Sequence, residues 1–336
     1  MSFDIQHQVS LAARNSLGVE AWAEHLVDVT SEAQLAEVLA YARQQRWPVT
    51  ILGGGSNSVF ARDMAGLVVC QRSRGIQVDG NRVTVAAGES WHELVLRTLE
   101  LGLFGLENLT LIPGQVGAAP IQNIGAYGVE VASLVASVRA IEMSTGAPLT
   151  LSRSDCQFGY RDSIFKHALR QQVVITEVTL DLQTSFSPQL DFVDLQRWLA
   201  SQSASDLTGT AVSQAVASIR RQKLPDPGTW GNVGSFFKNP VVAVAKVAEL
   251  QGVYADMPAR RQADGQWKLS AAWLIEQAGL KGLTQGKAQV STQHCLVLIN
   301  RGGSSGAEVL MLAERVGRVV NDRFGLQLEI EPVVYA

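Results

Sequence analysis

The sequence predicts an α+β protein of two or three domains, and three observations lead there. Strand-like and helix-like stretches follow one another irregularly, without the regular alternation of a doubly wound sheet. The first glycine-rich turn, Gly53–Gly55, lies between two apolar strand-like runs, where a dinucleotide-binding turn would open a helix. At 336 residues the chain is longer than a single core usually serves. A hydrophobic share of 46% and a charged share of 18% describe an ordinary globular chain. The net charge of −3 gives no electrostatic case for nucleic acid or for an anionic membrane.

Taken in order, Ser31 and Gln34 form a capping pair ahead of Leu35, Val38, Leu39 and Ala42 at helical spacing, and Pro48 ends that helix. Val49–Leu52 reads as a short buried strand, and Leu67–Cys70 as the next. Arg82–Ala86 is a strand, followed by a helix capped by Ser90 and Glu93 that ends near Gly102. Leu134–Met143 and Pro148–Leu151 read as a hairpin around Ser144-Thr145-Gly146, and Gln172–Leu182 as a further strand. Polar Ser201–Thr210 is expected to be a linker or exposed turn. Ala271–Ala278 and Ser305–Arg323 are helices, Gly325 ends the latter, and His294–Asn300 and Leu326–Val334 are strands.

No basic region followed by an apolar stretch opens the sequence, so no signal peptide is expected and the cytoplasm is the expected compartment. No apolar run is long enough to span a bilayer. Cys70, Cys156 and Cys295 lie far apart without a Cys-x-x-Cys pair, and the five histidines have no ligand spacing, so neither a disulfide framework nor a metal site is expected.

The most informative stretch is Ile112–Gly128. Gly114, Gly117, Gly125 and Gly128 expose backbone, Pro113 and Pro120 stiffen the turns, and Gln115, Gln122, Asn123 and Tyr127 supply the polar groups. It reads as a wall against a large phosphate-bearing ligand, or else as a buried connection between strands. Gly53–Ser58 is a second such turn, with Ser56, Asn57 and Ser58 as side-chain donors. Neither has the Gly-x-Gly-x-x-Gly or Walker A spacing.

Four further positions could carry chemistry. Arg161 in Phe158–Ser163 is a fixed cation or a surface solubiliser. Ser235, between Gly234 and two phenylalanines, is a proton donor to a strongly basic carbanion or a core-entering strand residue. Glu329 and Glu331 alternate on the last strand, facing a cleft or solvent. Lys223, after Arg220 and Arg221, pairs with phosphate or is solvated.

Together these segments resemble the UDP-N-acetylenolpyruvoylglucosamine reductases (MurB) of peptidoglycan synthesis. The matching pieces are Gly53–Asn57, Ile112–Gly128, Phe158–Ser163, Lys223–Pro227, Gly234–Pro240 and His294–Asn300, in the family's order over nearly the whole chain. The resemblance implies a non-covalently bound FAD in a two-subdomain fold of the vanillyl-alcohol-oxidase (PCMH) type, plus a C-terminal α+β substrate domain. The implied limits are 1–70 and 71–219 for the two FAD subdomains, 220–325 for the substrate domain and 326–336 for a terminal strand reaching the active site. The resemblance further implies that NADPH reduces the flavin, leaves and is replaced by UDP-N-acetylglucosamine enolpyruvate. Hydride then passes from flavin N5 to C3 while Ser235 protonates C2, with Arg161 and Glu331 stabilising the charge; Glu329 competes with Glu331 for that role.

By the same matching, FAD is held by Gly53, Gly54, Gly55, Ser56, Asn57, Ser58, Pro113, Gly114, Gly117, Ala118, Ala119, Ile121, Asn123, Gly125, Ala126 and Gly128. Tyr127, Lys223, Asn239, Lys281, His294 and Phe192 meet substrate or NADPH. The chain resembles the longer family type with a tyrosine loop, but carries Phe192 where that tyrosine stands. Glu331 is followed by Pro332 where the family usually continues Glu-Val, and Gly54 replaces an acidic residue of some relatives. A monomer without nucleic-acid or membrane partners is expected. An FAD oxidase on another alcohol or sugar, and a non-catalytic binder of flavin or UDP-sugar, are the alternative readings. Intact Ser235 and Arg161 stand against the binder.

Overall fold

The computed structural model describes residues 3–201 and 207–336. The chain divides into two compact units: residues up to Val9 with Ala23–Gly55 and Met64–Gln222, and Ser10–Trp22 with Ser56–Asp63 and Lys223–Ala336.

The first unit is built on two larger sheets. One has the order Gln6–Ser10, Trp22–Val29, Met64–Gln71, Val49–Leu52, with the last two strands parallel. The helix Glu32–Gln45 covers it; Ser31 Oγ accepts from the Gln34 amide, and Gln34 reaches back to the Thr30 amide at 2.7 Å. Leu35, Val38, Leu39 and Ala42 are buried against Val27, Val29, Leu67 and Val69. Each of the larger side chains contributes roughly 1.5–3 kcal/mol through burial. Arg46 closes the helix in the left-handed conformation, before Pro48.

The second sheet is antiparallel, in the order Pro148–Ser152, Val135–Glu142, Val173–Asp181, Arg82–Ala86, Ile76–Asp79. Its apolar face packs on Trp91, Leu94 and Val95 of the helix Trp91–Glu100. The expected linker at Ser201–Thr210 lies partly outside the described residues; at its far end Gly209 already starts a helix to Lys223.

In the second unit, Gly231–Ser235, Val297–Asn300, Ala288–Val290 and Thr284–Gln285 form an antiparallel sheet. The helix Gly306–Phe324 has a full Ser305–Glu308 capping box and buries Val309, Leu312, Val316, Val320 and Phe324. The strand expected at Leu326–Val334 is shorter. Ile330 makes one isolated bridge to Phe237, and only Val333–Tyr335 is a strand, parallel to Ser58–Phe60. The break falls at Pro332, which has no amide to donate. The strand expected from His294 begins at Val297, because Ser291–Val297 closes a turn with the Val297 amide on the His294 carbonyl.

The three cysteines are buried and form no disulfide. Among the described residues, no helix is long and apolar enough to cross a membrane, and no group of three or more His, Cys, Asp or Glu could hold a metal ion.

Candidate active site

The strand Val49–Leu52 runs straight into Gly53–Gly55, which lies against the start of the central loop. A Cβ on Gly54 would sit 3.2 Å from Gly114 Cα, so the two backbones approach closely and a side chain there would need Gly114 to give by a few tenths of an ångström. Gln115 donates its Nε2 to the Gln71 carbonyl at 3.0 Å. Its Oε1 is buried without a hydrogen-bond partner among the described residues, 3.0 Å from where a Gly53 Cβ would be. The two glycine-rich turns singled out in the sequence are therefore neighbours.

Their amides differ. Those of Val116, Gly117, Ala118 and Ala119 donate to Glu89, Ala87, Gln115 and Val116 carbonyls. Those of Gly54 and Gly55 donate to no group among the described residues. Gly54 and Gly55 thus offer open donors, whereas residues 116–119 of the second turn spend their amides internally.

Arg161 sits in a tight turn closed by reciprocal Gly159–Asp162 backbone bonds, with its own φ at +53°. A left-handed arginine costs about 1–3 kcal/mol and must be held by its surroundings. Here its guanidinium donates to the Gly125 carbonyl at 2.7 Å and stands 5.4 Å from the Tyr160 ring centroid, while Lys166 Nζ donates to its carbonyl at 3.0 Å. Fully buried Ser163 donates to the Ile121 carbonyl at 2.6 Å. Asn123 spends its amide protons on Glu130 and the Gly159 carbonyl and accepts from the Ala132 amide. These bonds lock Phe158–Ser163 onto the wall at 121–125. The Asn123 backbone is engaged as well, its amide donating to the Pro120 carbonyl at 3.3 Å and its carbonyl accepting from Arg161 at 3.5 Å.

Ala126 and Gly128 flank Tyr127, whose ring meets Phe192 edge-on at 5.5 Å; both rings pack on Leu195, Val212, Val216 and Ile219. Burial pushes the Tyr127 phenol up, against the pull of nearby Arg220.

Arg220 was not singled out from the sequence. Protein packs closely enough around its guanidinium for desolvation to push its pKa below the ordinary arginine value. Among the described residues no carboxylate or hydrogen-bond acceptor pairs with it. A signal was available: Arg220 follows Val212 and Val216 at intervals of four, placing a charge on the buried stripe of its helix.

In the second unit, Ser235 ends its strand opposite Val297 and is half-buried; its hydroxyl has no protein partner among the described residues. Phe236 and Phe237, both buried, follow it. The Phe236 carbonyl accepts from the Glu331 amide at 3.0 Å, which sets Glu331 beside the residue after Ser235. The Glu329 side chain is 67% exposed and paired with Lys238.

Ser56, Asn57 and Ser58 belong to this unit, as do Lys223, Asn239, Lys281 and His294. The His294 imidazole is pushed below its ordinary value by burial first, then by Lys223, with Glu276 opposing. Its Nδ1 accepts from the Leu296 amide at 3.3 Å, leaving Nε2 as the donor of the neutral ring. Lys281 is tied to Glu276 at 2.9 Å. Asn239 Oδ1 accepts from the Ala271 amide at 2.9 Å, capping a helix, so its amide nitrogen is the group left for a ligand. Of the three expected catalytic residues, Arg161 belongs to the first unit, and Ser235 and Glu331 to the second.

Residues 226–335 match the family described as UDP-N-acetylenolpyruvoylglucosamine reductase, C-terminal domain, and residues 23–152 match an FAD binding domain. The chain is 45% identical to the UDP-N-acetylenolpyruvoylglucosamine reductase of Pseudomonas fluorescens strain Pf-5 over the whole of both chains. It is 47% identical to that of Paraburkholderia xenovorans over 96% of this chain and 95% of the relative. The crystal structure of the Thermus caldophilus reductase (MurB) superposes with a TM-score of 0.70 at 26% identity, covering 99% of this chain and all of the other. The α+β reading, with an FAD-binding fold of the vanillyl-alcohol-oxidase type and a separate C-terminal domain, holds. The chain belongs to the UDP-N-acetylenolpyruvoylglucosamine reductase family of FAD-binding oxidoreductases.

Proposed function

We propose that this protein reduces UDP-N-acetylglucosamine enolpyruvate to UDP-N-acetylmuramate at the expense of NADPH, in the cytoplasm and as a monomer, for peptidoglycan synthesis. The observation that carries the reading is the pairing of an unpartnered Ser235 hydroxyl with Glu331, one backbone bond away at Phe236.

The residues present fit an FAD. The amides of Gly54 and Gly55 are open, the orphaned Gln115 Oε1 lies beside them, and Arg220 is a cation that lacks an anion. Arg220 is only partly exposed and desolvation disfavours its charge, so a diphosphate beside it would relieve that cost. Neither glycine-rich turn contains a cysteine or histidine, which supports non-covalent attachment. In this reading Gly53–Ser58 holds the dinucleotide and Pro113–Gly128 walls it, with 1–70 and 71–219 as the FAD subdomains, 220–325 as the substrate domain and 326–336 as the terminal strand. When bound, FAD supplies the hydride, taken from NADPH and passed from N5 to C3 of the enolpyruvyl ether.

The rest is done by the chain. Hydride addition at C3 loads charge onto C2 and its carboxylate. Arg161, permanently charged and held in place through Gly125, stabilises that oxyanion without reorganising, an effect worth on the order of 10²–10³ in rate. The Ser235 hydroxyl is a weak acid, but an enol-like carbanion is basic enough to take its proton at C2. Glu331 holds or replaces that proton. Lys223, the Asn239 amide, Lys281 and the Nε2 of His294 supply donors to the nucleotide diphosphate, with Tyr127 and Phe192 packing beside it. Product analysis tests the reading: incubation with NADPH and the enolpyruvyl nucleotide yields the lactyl ether, whereas hydrogen peroxide from a sugar and oxygen would identify an oxidase.

A further inference from the structure

Glu331 is held from both sides. On one side the Phe237–Ile330 bridge fixes the chain entering it, and its own amide donates to Phe236. On the other, buried Pro332 stiffens the chain that leads into the strand Val333–Tyr335. That strand is three residues long and, among the described residues, pairs only with Ser58–Phe60, in the register Val333–Ser58, Val334–Val59 and Tyr335–Phe60. A two-stranded unit of this size is marginal by itself.

Side chains supply the remainder. The Tyr335 and Phe60 rings stack at 4.9 Å, 16° from parallel, and the Tyr335 phenol is hydrogen-bonded to Ser58. Backbone bonds close both ends, from the Val333 amide to the Asn57 carbonyl at 2.9 Å and from the Ala61 amide to the Tyr335 carbonyl at 2.8 Å. The partner strand is itself anchored. A Cβ on Gly306 would fall 1.8 Å from the Phe60 carbonyl oxygen, so the first turn of the long helix seats directly on it.

We propose that this strand pair is a clamp that sets the position of the Glu331 carboxylate, with Tyr335 as its positioning residue. The proposal rests on the catalytic reading of Glu331 given above. Tyr335 touches neither substrate nor cofactor in it; the ring acts by keeping Val333 in register with Ser58, two residues beyond Glu331. The clamp starts at Asn57, in the turn assigned to the dinucleotide, so the same backbone bond ties the seat of Glu331 to that turn.

The test uses the full-length protein with Tyr335→Ala, Tyr335→Phe and Val333→Pro, the last lacking the amide that bonds to Asn57. Hydrogen exchange of the ligand-free protein reads the clamp at residues 329–335. Anaerobic stopped-flow reads flavin reduction by NADPH and flavin reoxidation by the enolpyruvyl nucleotide separately. Tyr335→Ala and Val333→Pro are expected to speed exchange at 329–335. They are also expected to slow reoxidation by about tenfold to a hundredfold, as misplacement by an ångström does, with flavin reduction and the nucleotide Michaelis constant little changed. Tyr335→Phe, which keeps the stack, is expected to recover most of the rate. Should Tyr335→Ala fail to fold, Val333→Pro carries the same readouts. Faster exchange with unchanged reoxidation overturns the proposal, and so does equal loss of both half-reactions. If the unaltered protein is not reoxidised by the nucleotide, the reductase reading fails instead.

Discussion

Lys238 and Glu329 are joined twice. The Lys238 amide donates to the Glu329 carbonyl at 2.9 Å, and the Lys238 ammonium meets the Glu329 carboxylate. This double tie engages Glu329 at the surface and leaves Glu331 as the carboxylate beside the Ser235 strand. With the Glu329 carboxylate largely in solvent, such a pair contributes about 0–1 kcal/mol. Glu329→Gln is therefore expected to leave turnover within about threefold of the parent, while Glu331→Gln slows flavin reoxidation by roughly 10²-fold or more. Equal effects of the two substitutions in stopped-flow would contradict the assignment.

Arg220 gives a prediction of opposite signs. Its guanidinium is part-exposed but partly desolvated, without a counter-charge among the described residues, so replacing it with an apolar side chain of similar length relieves some cost in the ligand-free chain. Arg220→Met is expected to melt higher than the parent when stripped of flavin, and to gain less from saturating FAD. A variant that is destabilised when stripped and binds FAD as tightly as the parent would remove Arg220 from the site.

His294 predicts a pH dependence. Its folded pKa lies below the ordinary histidine value, chiefly through burial and then through Lys223. As pH falls below about 6.5, the unfolded chain takes up a proton that the folded chain resists, so stability is lost on the acid side. Protonation at Nδ1 also breaks the bond from the Leu296 amide. His294→Gln is expected to flatten the fall of melting temperature between about pH 6.5 and 5. Part of the slope remains, because His92 is shifted in the same direction by its own burial. An unchanged slope would show that His294 does not titrate there.

Phe192 stacks edge-on against Tyr127 and offers no hydroxyl. Phe192→Tyr adds one donor beside the proposed diphosphate seat, worth about 0.5–1.5 kcal/mol. The expected result is a Michaelis constant for the enolpyruvyl nucleotide lowered about threefold to tenfold, with the rate of flavin reduction unchanged. Steady-state titration of both substrates checks it.

Much of the scaffold was legible because local chemistry decides it. Ser31 with Gln34 and Ser90 with Glu93 cap the helices their spacing foretold, the helix expected from Ser305 starts there, and Val49–Leu52 and Arg82–Ala86 are strands over the expected residues. Long-range pairing was not legible. Alternation at 326–334 looks like one strand, but its partner changes from Phe236–Lys238 to Ser58–Phe60 across Pro332.

The site shows the same division. Glycine content flagged both turns, yet that residues 116–119 of the second spend their amides internally follows from contacts with Ala87 and Glu89, distant in sequence. Arg220 was hidden for a related reason: an arginine is ordinarily a surface residue. Its isolation depends on a helix face packing near Tyr127, which no local motif records.

The most direct measurement is an anaerobic spectral titration of the purified protein and of Ser235→Ala. The account predicts a yellow protein that NADPH bleaches and the enolpyruvyl nucleotide recolours, and a variant that still bleaches but recolours about 10²–10⁴ times more slowly. A colourless protein that takes up no FAD, or a Ser235→Ala variant recoloured at the parent's rate, would contradict it.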